Sequence, residues 1–207
     1  MPSITRRPAR PDRRASVEAQ VLATTGRLLR EGTPFTELGV QRIAAEAGVA
    51  RSTFYSHFRD KTDLLLRLAG TMQRTALDIG VSWRPETGPE GLAEVFLQVV
   101  RVYREYEPVL TAINEVAAYD RTVREFWVRG LRPFTENSNS LLRREQEAGR
   151  IPADLDIDHA SRVIVVGGER AIADHVAASG GDESQDEAFA RELALIWWHG
   201  AYHRPRT

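Results

Sequence analysis

Apolar residues recur along this chain at steps of three and four, a rhythm that predicts a succession of helices. Val17, Val21, Leu22, Leu28 and Leu29 fall on one stripe of a first helix from about Arg14 to Glu31, which Gly32 ends. A second, from Leu38 to Ala47, turns Val40, Ile43, Ala44 and Ala47 inward and stops at Gly48. A third is short, from about Ala50 to His57. Asp60 is placed to cap a fourth reaching about Val81, with Leu64, Leu65, Leu66, Leu68 and Met72 as its apolar side.

The stretch SWRPETGPEG (82–91) reads as a loop and a boundary. Helical periodicity resumes over 92–107, and Pro108 sits in the first turn of a helix ending near Tyr119. Asp120 is expected to cap one long helix to Ala148, kinked at Pro133 and stopped by Gly149. Asp156 or Asp158 starts another to about Ala178, and 186–203 forms the last. The fold class expected is all-α, with an N-terminal three-helix head, a C-terminal helical bundle and about nine helices in all.

One segment opposes this reading. RVIVVGGE (162–169) resembles a buried strand followed by a glycine turn, a place where a nucleotide-binding enzyme holds phosphate. A dinucleotide fingerprint needs three spaced glycines, and here only Gly167 and Gly168 stand together. No second strand-like run exists to pair with it, and a lone strand leaves its backbone groups unsatisfied. The segment is therefore assigned to a helix. Each interior glycine costs roughly 1 kcal/mol against alanine, so the pair is expected to permit close helix approach or to leave room for a ligand.

Composition narrows the classes. Hydrophobic residues make up 42% of the 207, enough for a core. There is no run of 18 apolar residues, so no membrane span is expected, and the basic N-terminus lacks the apolar stretch of a secretory signal. With no cysteine, disulfides, thiolate metal sites and cysteine nucleophiles are excluded, which fits a cytoplasmic protein. The net charge of -1 hides a division. Residues 1–61 carry 11 Lys+Arg against 6 Asp+Glu, and residues 62–207 carry 17 against 23. A basic head on an acidic body suggests a polyanionic partner, the other reading being a solvated, arginine-biased tail. Residues 1–12, rich in Arg and Pro, are expected to form a disordered basic arm.

The chemistry concentrates in GVARSTFYSHFRDKTDLL (48–65). A glycine can take the left-handed conformation that turns one helix sharply into the next, and Ala44 is small enough for close packing. Ile43, Ala47, Val49, Phe54 and Phe58 then form a small shared core. This is a helix-turn-helix, whose second helix is moored by its apolar side and leaves the other free for a DNA major groove. Arg51, Ser52, Thr53, Tyr55 and His57 would face outward. Their hydroxyls and phenol can donate to phosphate oxygens, contacts that set register while base-edge contacts set sequence. Lys61, the only lysine in the chain, would lie near the same phosphates. A solvated helical subdomain is the bland alternative.

The stretch FTELGVQRIAAEAGVARSTFYSHFRDKTDLL resembles the DNA-binding head of the TetR family of transcriptional regulators. The matching marks are Ile43-Ala44, Ala47-Gly48-Val49, Thr53-Phe54-Tyr55, His57-Phe58, Lys61 and Leu64-Leu65. The resemblance implies a head over 13–62 and a ligand-binding and dimerisation domain over 63–207. It implies double-stranded operator DNA, a mainly apolar small-molecule effector and a second copy of the chain as partners, with no cofactor. Thr53, Tyr55 and Lys61 would touch phosphates, Ala50, Arg51 and Ser52 would approach bases, and Gln41 and His57 complete the DNA-binding set. Gly39 departs from the family, which often has a capping Ser or Thr there. REFWVRGLRPF, GGERA and LALIWWHGAYH further resemble the C-terminal domain of the EthR subgroup, which carries an apolar tunnel. By position, Leu92, Phe96, Val99, Tyr103, Trp127, Phe134 and Trp197 would line it. Val165 and Gly168 would stand where that subgroup has asparagines, implying a less polar ligand or another pose.

Other constellations carry less. Trp198 must face away from Trp197 and is a candidate for a subunit interface. His199 and His203 have chelating i, i+4 spacing but no carboxylate suitably spaced. Asp154, Asp156 and Asp158 alternate like a calcium loop without its glycine and distal glutamate, and read as residues that start a helix. Glu169 and Arg170 are expected to form a structural pair. No catalytic constellation or metal site is read. The alternatives to a regulator are a helical small-molecule binder without DNA activity and the nucleotide-binding enzyme raised by 162–169.

Overall fold

The computed structural model describes residues 10–203, with side chains from Ala15 onward. Ten α-helices account for most of it, and no strand occurs among the described residues. The expected basic arm falls largely on residues 1–9, outside that range, and α1 already begins at Arg10 (Arg10–Arg30). A 3-10 turn (Phe35–Glu37) leads to α2 (Val40–Glu46), α3 (Arg51–His57) and α4 (Lys61–Gly80). After a second 3-10 turn (Pro85–Thr87) come α5 (Gly88–Glu105) and α6 (Glu107–Ala117). The loop expected over 82–91 is thus shorter than predicted, because Pro89 is accommodated at the start of α5, where no backbone N–H is needed.

Asp120 does cap a helix, accepting from Thr122 N at 2.8 Å and Val123 N at 3.3 Å. The single kinked helix expected over 120–148 is instead two, α7 (Arg121–Gly130) and α8 (Arg132–Glu147). The break falls at Leu131 because Pro133 sits in the first turn of α8, the position a proline tolerates best. This split raises the count to ten. Asp156, rather than Asp158, caps α9 (Ile157–Ser179), accepting from His159 N at 3.0 Å. The last helix is α10 (Asp186–Trp197), which loosens into a π-type turn at Trp198–Tyr202.

The ambiguous 162–169 segment is helical, inside α9. Its buried positions are Val165, Gly168, Ile172 and Val176, spaced by three and four, while Val163 and Val166 lie exposed on the other face. What looked like a continuous apolar run is therefore two apolar stripes of one helix, and the strand and nucleotide-turn reading falls with it.

Two apolar cores result. One gathers Val21, Leu28 and Leu29 of α1 with α2, α3 and the first half of α4, and continues onto Val109, Ile113 and Val116 of α6. The other fills the body between the second half of α4 and α5, α8, α9 and α10. Tyr106 and Trp127 pack against both. The body is cross-braced by a buried ion pair. Arg104 of α5 donates to Asp186 of α10 through Nε at 2.6 Å and also to Ser179 Oγ at 2.9 Å and Asp182 O at 2.7 Å. His175 of α9 meets the same carboxylate at 2.8 Å while stacking on Phe189. Arg104 holds the Asp186 carboxyl below the usual carboxylate range. No helix among the described residues is long and apolar enough to cross a membrane.

Candidate DNA-reading head and ligand cavity

The head is built on the turn between α2 and α3. Gly48 adopts φ +63°, and the turn closes with Gly48 N to Ala45 O at 3.0 Å and Val49 N to Ala44 O at 2.9 Å. That left-handed residue is what lets the backbone satisfy the last carbonyls of α2 and leave in a new direction. Ile43, Ala44 and Ala47 are buried beneath it, whereas Val40 is only half-buried. Phe54 and Phe58 are both 0% exposed, with ring centroids 5.1 Å apart. They moor α3 as the sequence predicts. Its opposite side presents Ala50, Arg51, Ser52 and Tyr55 to solvent, and Gln41 of α2 is exposed nearby in the chain. The Arg51 guanidinium lies over the Tyr55 ring at 5.6 Å, one helical turn away.

Two members of the expected set are less free. Thr53 and His57 are half-buried, and His57 Nδ1 is buried without a hydrogen-bond partner. Lys61 does not project outward: Nζ donates to Phe35 O at 3.2 Å and Thr36 O at 3.1 Å, above the Phe35 ring. It clamps the turn between α1 and α2 onto the start of α4. Asp60 caps α4 as expected, accepting from Asp63 N at 2.7 Å. Gly39 caps α2 without any side-chain bond, also as expected.

Arg67 was not singled out from the sequence, yet it fastens the head. It donates to Glu18 Oε1 at 2.7 Å and His57 O at 2.9 Å, and stacks over Phe58 at 4.9 Å. It joins α1, the end of α3 and α4 at one point. Its signal was an arginine inside the apolar run LLLRLAG, where a cation persists only if its partners are supplied.

The body holds a cavity of about 100 Å³ between α4, α5, α8, α9 and the π-type turn. Leu92, Phe96, Val99, Tyr103, Phe134, Val165, Gly168 and Trp197 all line it, as the sequence predicts. A Cβ on Gly168 would lie 3.1 Å from Trp197 Cζ2, so this glycine is what lets the indole seat against α9. Gly167 faces open space and plays no such part. Phe96 meets Trp197 edge to face at 4.9 Å.

Trp127 is not on the cavity wall. It packs between the two cores, its indole acts on the Glu169 carboxyl by favouring the ionised form, and its carbonyl accepts from Gln73 of α4 at 3.3 Å. The helix break at Leu131 sets α7 apart from α8, and the ring goes with α7. Glu169 itself does line the cavity, which the sequence reading missed. The expected pair with Arg170 is replaced: adjacent helical residues diverge, and Arg170 turns outward to Asp174 at 2.9 Å. Burial raises the Glu169 carboxyl, opposed by Arg170 and by the Trp127 bond. Burial, then the Glu169 charge, pushes the Tyr103 phenol up.

Trp198 is half-buried in the body. It stacks on Tyr202 with centroids 5.6 Å apart, and Trp83 meets the same tyrosine edge-on. The exposed apolar face lies instead on α9 and α10, where Val163, Val166 and Ile196 are 71%, 45% and 67% exposed. His199 and His203 stand with ring centroids 5.7 Å apart, and no group of three or more potential metal ligands occurs among the described residues.

Comparison with known proteins places the whole arrangement. Residues 22–68 match the model for bacterial regulatory proteins of the tetR family, over the segment from α1 into α4 just described. The HTH-type transcriptional regulator EthR of Mycolicibacterium smegmatis is 30% identical over 71% of this chain and 68% of its own length. EthR of Mycobacterium tuberculosis is 26% identical over 98% of this chain and 93% of its own. Among solved structures, a transcriptional regulator FadR from Bacillus subtilis, in complex with stearoyl-CoA, superposes with a TM-score of 0.69 at 18% identity. That superposition covers 88% of this chain and 98% of the other. With its helix-turn-helix head and helical body so matched, the chain belongs to the tetR family of bacterial transcriptional regulators.

Proposed function

We propose that this regulator is a repressor that binds a pseudo-palindromic operator as a homodimer and is released by a mainly apolar small molecule. The observation that carries the reading is the course of α4. Its capped start lies against α3 through Arg67, and its far end contributes Ala76, Leu77 and Gly80 to the cavity wall. A ligand that needs more room in the cavity must displace that end, and the same rod carries the head. The ligand shifts the balance only by its differential affinity for the two positions of the head.

The exposed apolar face of α9 and α10 supports the dimer. Val163 and Ile196, which share one groove with Gly167 and Gly200, offer a surface on which a second copy could pack closely. The FadR relative holds stearoyl-CoA, which favours an apolar ligand class. The cavity here, about 100 Å³, would have to open before admitting a chain of that length. The regulator would act in the cytoplasm, where operator DNA is found.

Selection of bound fragments from a random DNA pool gives the operator, and titration on it tests the reading. If each head neutralises about four phosphates, log affinity should fall against log salt with a slope near -7. A slope near zero on operator-length DNA would refute DNA regulation. Tyr55→Phe should weaken all sequences alike, whereas Arg51→Ala should alter sequence preference by about 1–3 kcal/mol.

A further inference from the structure

Glu169 is the one carboxylate on the cavity wall, and no Arg, Lys or His lines that wall among the described residues. Burial raises this carboxyl, and the Trp127 indole beside it, which can only donate, works against that by favouring the ionised form. A carboxylate has about four acceptor sites, so one N–H leaves most of them open. Arg170, its neighbour in sequence, is committed to Asp174 on the outside of α9. Apart from Asn137 and Ser138 the rest of the wall is aromatic and aliphatic, including Phe96, Tyr103 and Trp197. An anion held in such surroundings is costly unless an opposite charge reaches it.

We infer that the effector of the proposed cavity is a primary amine, whose ammonium donates to Glu169 while its short apolar body fills the space among Phe96, Val99 and Trp197. The inference rests on the regulatory reading above and narrows its ligand class. An ammonium adds a charge-assisted hydrogen bond and attraction to nearby rings, neither of which an alcohol of equal shape supplies. The size also limits the ligand. An apolar cavity of roughly 150 Å³ holds a benzene ring. About 100 Å³ suits one ring or a chain of about six carbons once the wall yields slightly, and nothing much longer.

The test uses the full chain with hexylamine, hexan-1-ol and hexanoate, three probes of one shape and different charge. Binding is followed by calorimetry and by tryptophan fluorescence, since Trp83 and Trp197 line the cavity. Hexylamine should bind at least about ten-fold tighter than hexan-1-ol, the ratio expected when one charge-assisted bond is added. Glu169→Gln, which keeps the shape and removes the charge, should reduce that ratio to about one. Equal binding of amine and alcohol, tighter binding of hexanoate, an unchanged ratio in Glu169→Gln, or no binding of any probe would overturn the inference. If Glu169→Gln does not fold by circular dichroism, the wild-type ratio alone decides. Release from operator DNA is scored separately. Release by hexan-1-ol and not by hexylamine sinks the amine while the repressor reading stands. Tight hexylamine binding in a chain that ignores DNA sinks the repressor reading and leaves the amine site.

Discussion

Phe54 and Phe58 in the head are sealed from solvent against one another, whereas Phe96 and Trp197 in the body meet edge to face and still wall an open space. Both pairs are aromatic anchors on helices. The head uses its rings to fix one helix at one angle, because a reading surface works only if its side chains arrive in register. The body uses its rings as a cavity wall and is braced by a buried ion pair. Arg104, Asp186 and His175 tie α5, α9 and α10 together. The head is thus held by its apolar core, and the body by an apolar core crossed by an ion pair.

The contrast can be broken from either side. The largest expected effect is in the head: Phe54→Ala should cost about 3–5 kcal/mol by denaturant unfolding and abolish operator binding. A loss below about 1 kcal/mol would mean that α3 is held by something other than its rings. Asp186→Ala comes close behind, at about 3 kcal/mol, because it strands a buried guanidinium. The Asp186 carboxyl is held below its ordinary range, so its contribution is complete above about pH 5 and lost as pH falls below about 4. A thermal melting series should show that acid-side fall in the wild type and a shallower one in Asp186→Asn.

Gly168→Ala sharpens the comparison from inside the cavity. The added methyl must push Trp197, at a cost of about 1–3 kcal/mol. It should weaken probe binding by calorimetry while leaving operator affinity unchanged in the absence of ligand. The smallest effect belongs to Gly39→Ser, which supplies the missing cap of α2 at a position with open space and φ -82°. It should raise head stability by a few tenths of a kcal/mol, measurable as a small shift in the denaturant midpoint.

The head was legible almost residue by residue. Gly48, Phe54, Phe58 and Asp60 do what their spacing implies, because a turn, two anchors and a cap act over four or five residues of chain. Lys61 and Arg67 were not legible in the same way. Their partners at Phe35, Thr36 and Glu18 lie 25 to 49 residues away. In the body, eight of the nine expected wall positions line the cavity, and the exception is instructive. Trp127 and Glu169 exchange roles, the ring withdrawing between the cores and the carboxylate taking a place on the wall.

The sequence by itself determined most of the helices, the caps at Asp60 and Asp120 and the mooring of α3, since each depends on local periodicity and on backbone freedom at single residues, but not the break at Leu131. It assigned 162–169 to a helix only by elimination, for want of a partner strand, because a short apolar run has the same composition in either form. Only the tertiary structure decided that Val165 and Gly168 face a cavity while Val163 and Val166 face outward. It also decided that the Arg104 guanidinium meets Asp186, 82 residues further along the chain. Those outcomes depend on where distant helices cross, and no residue carries that information alone.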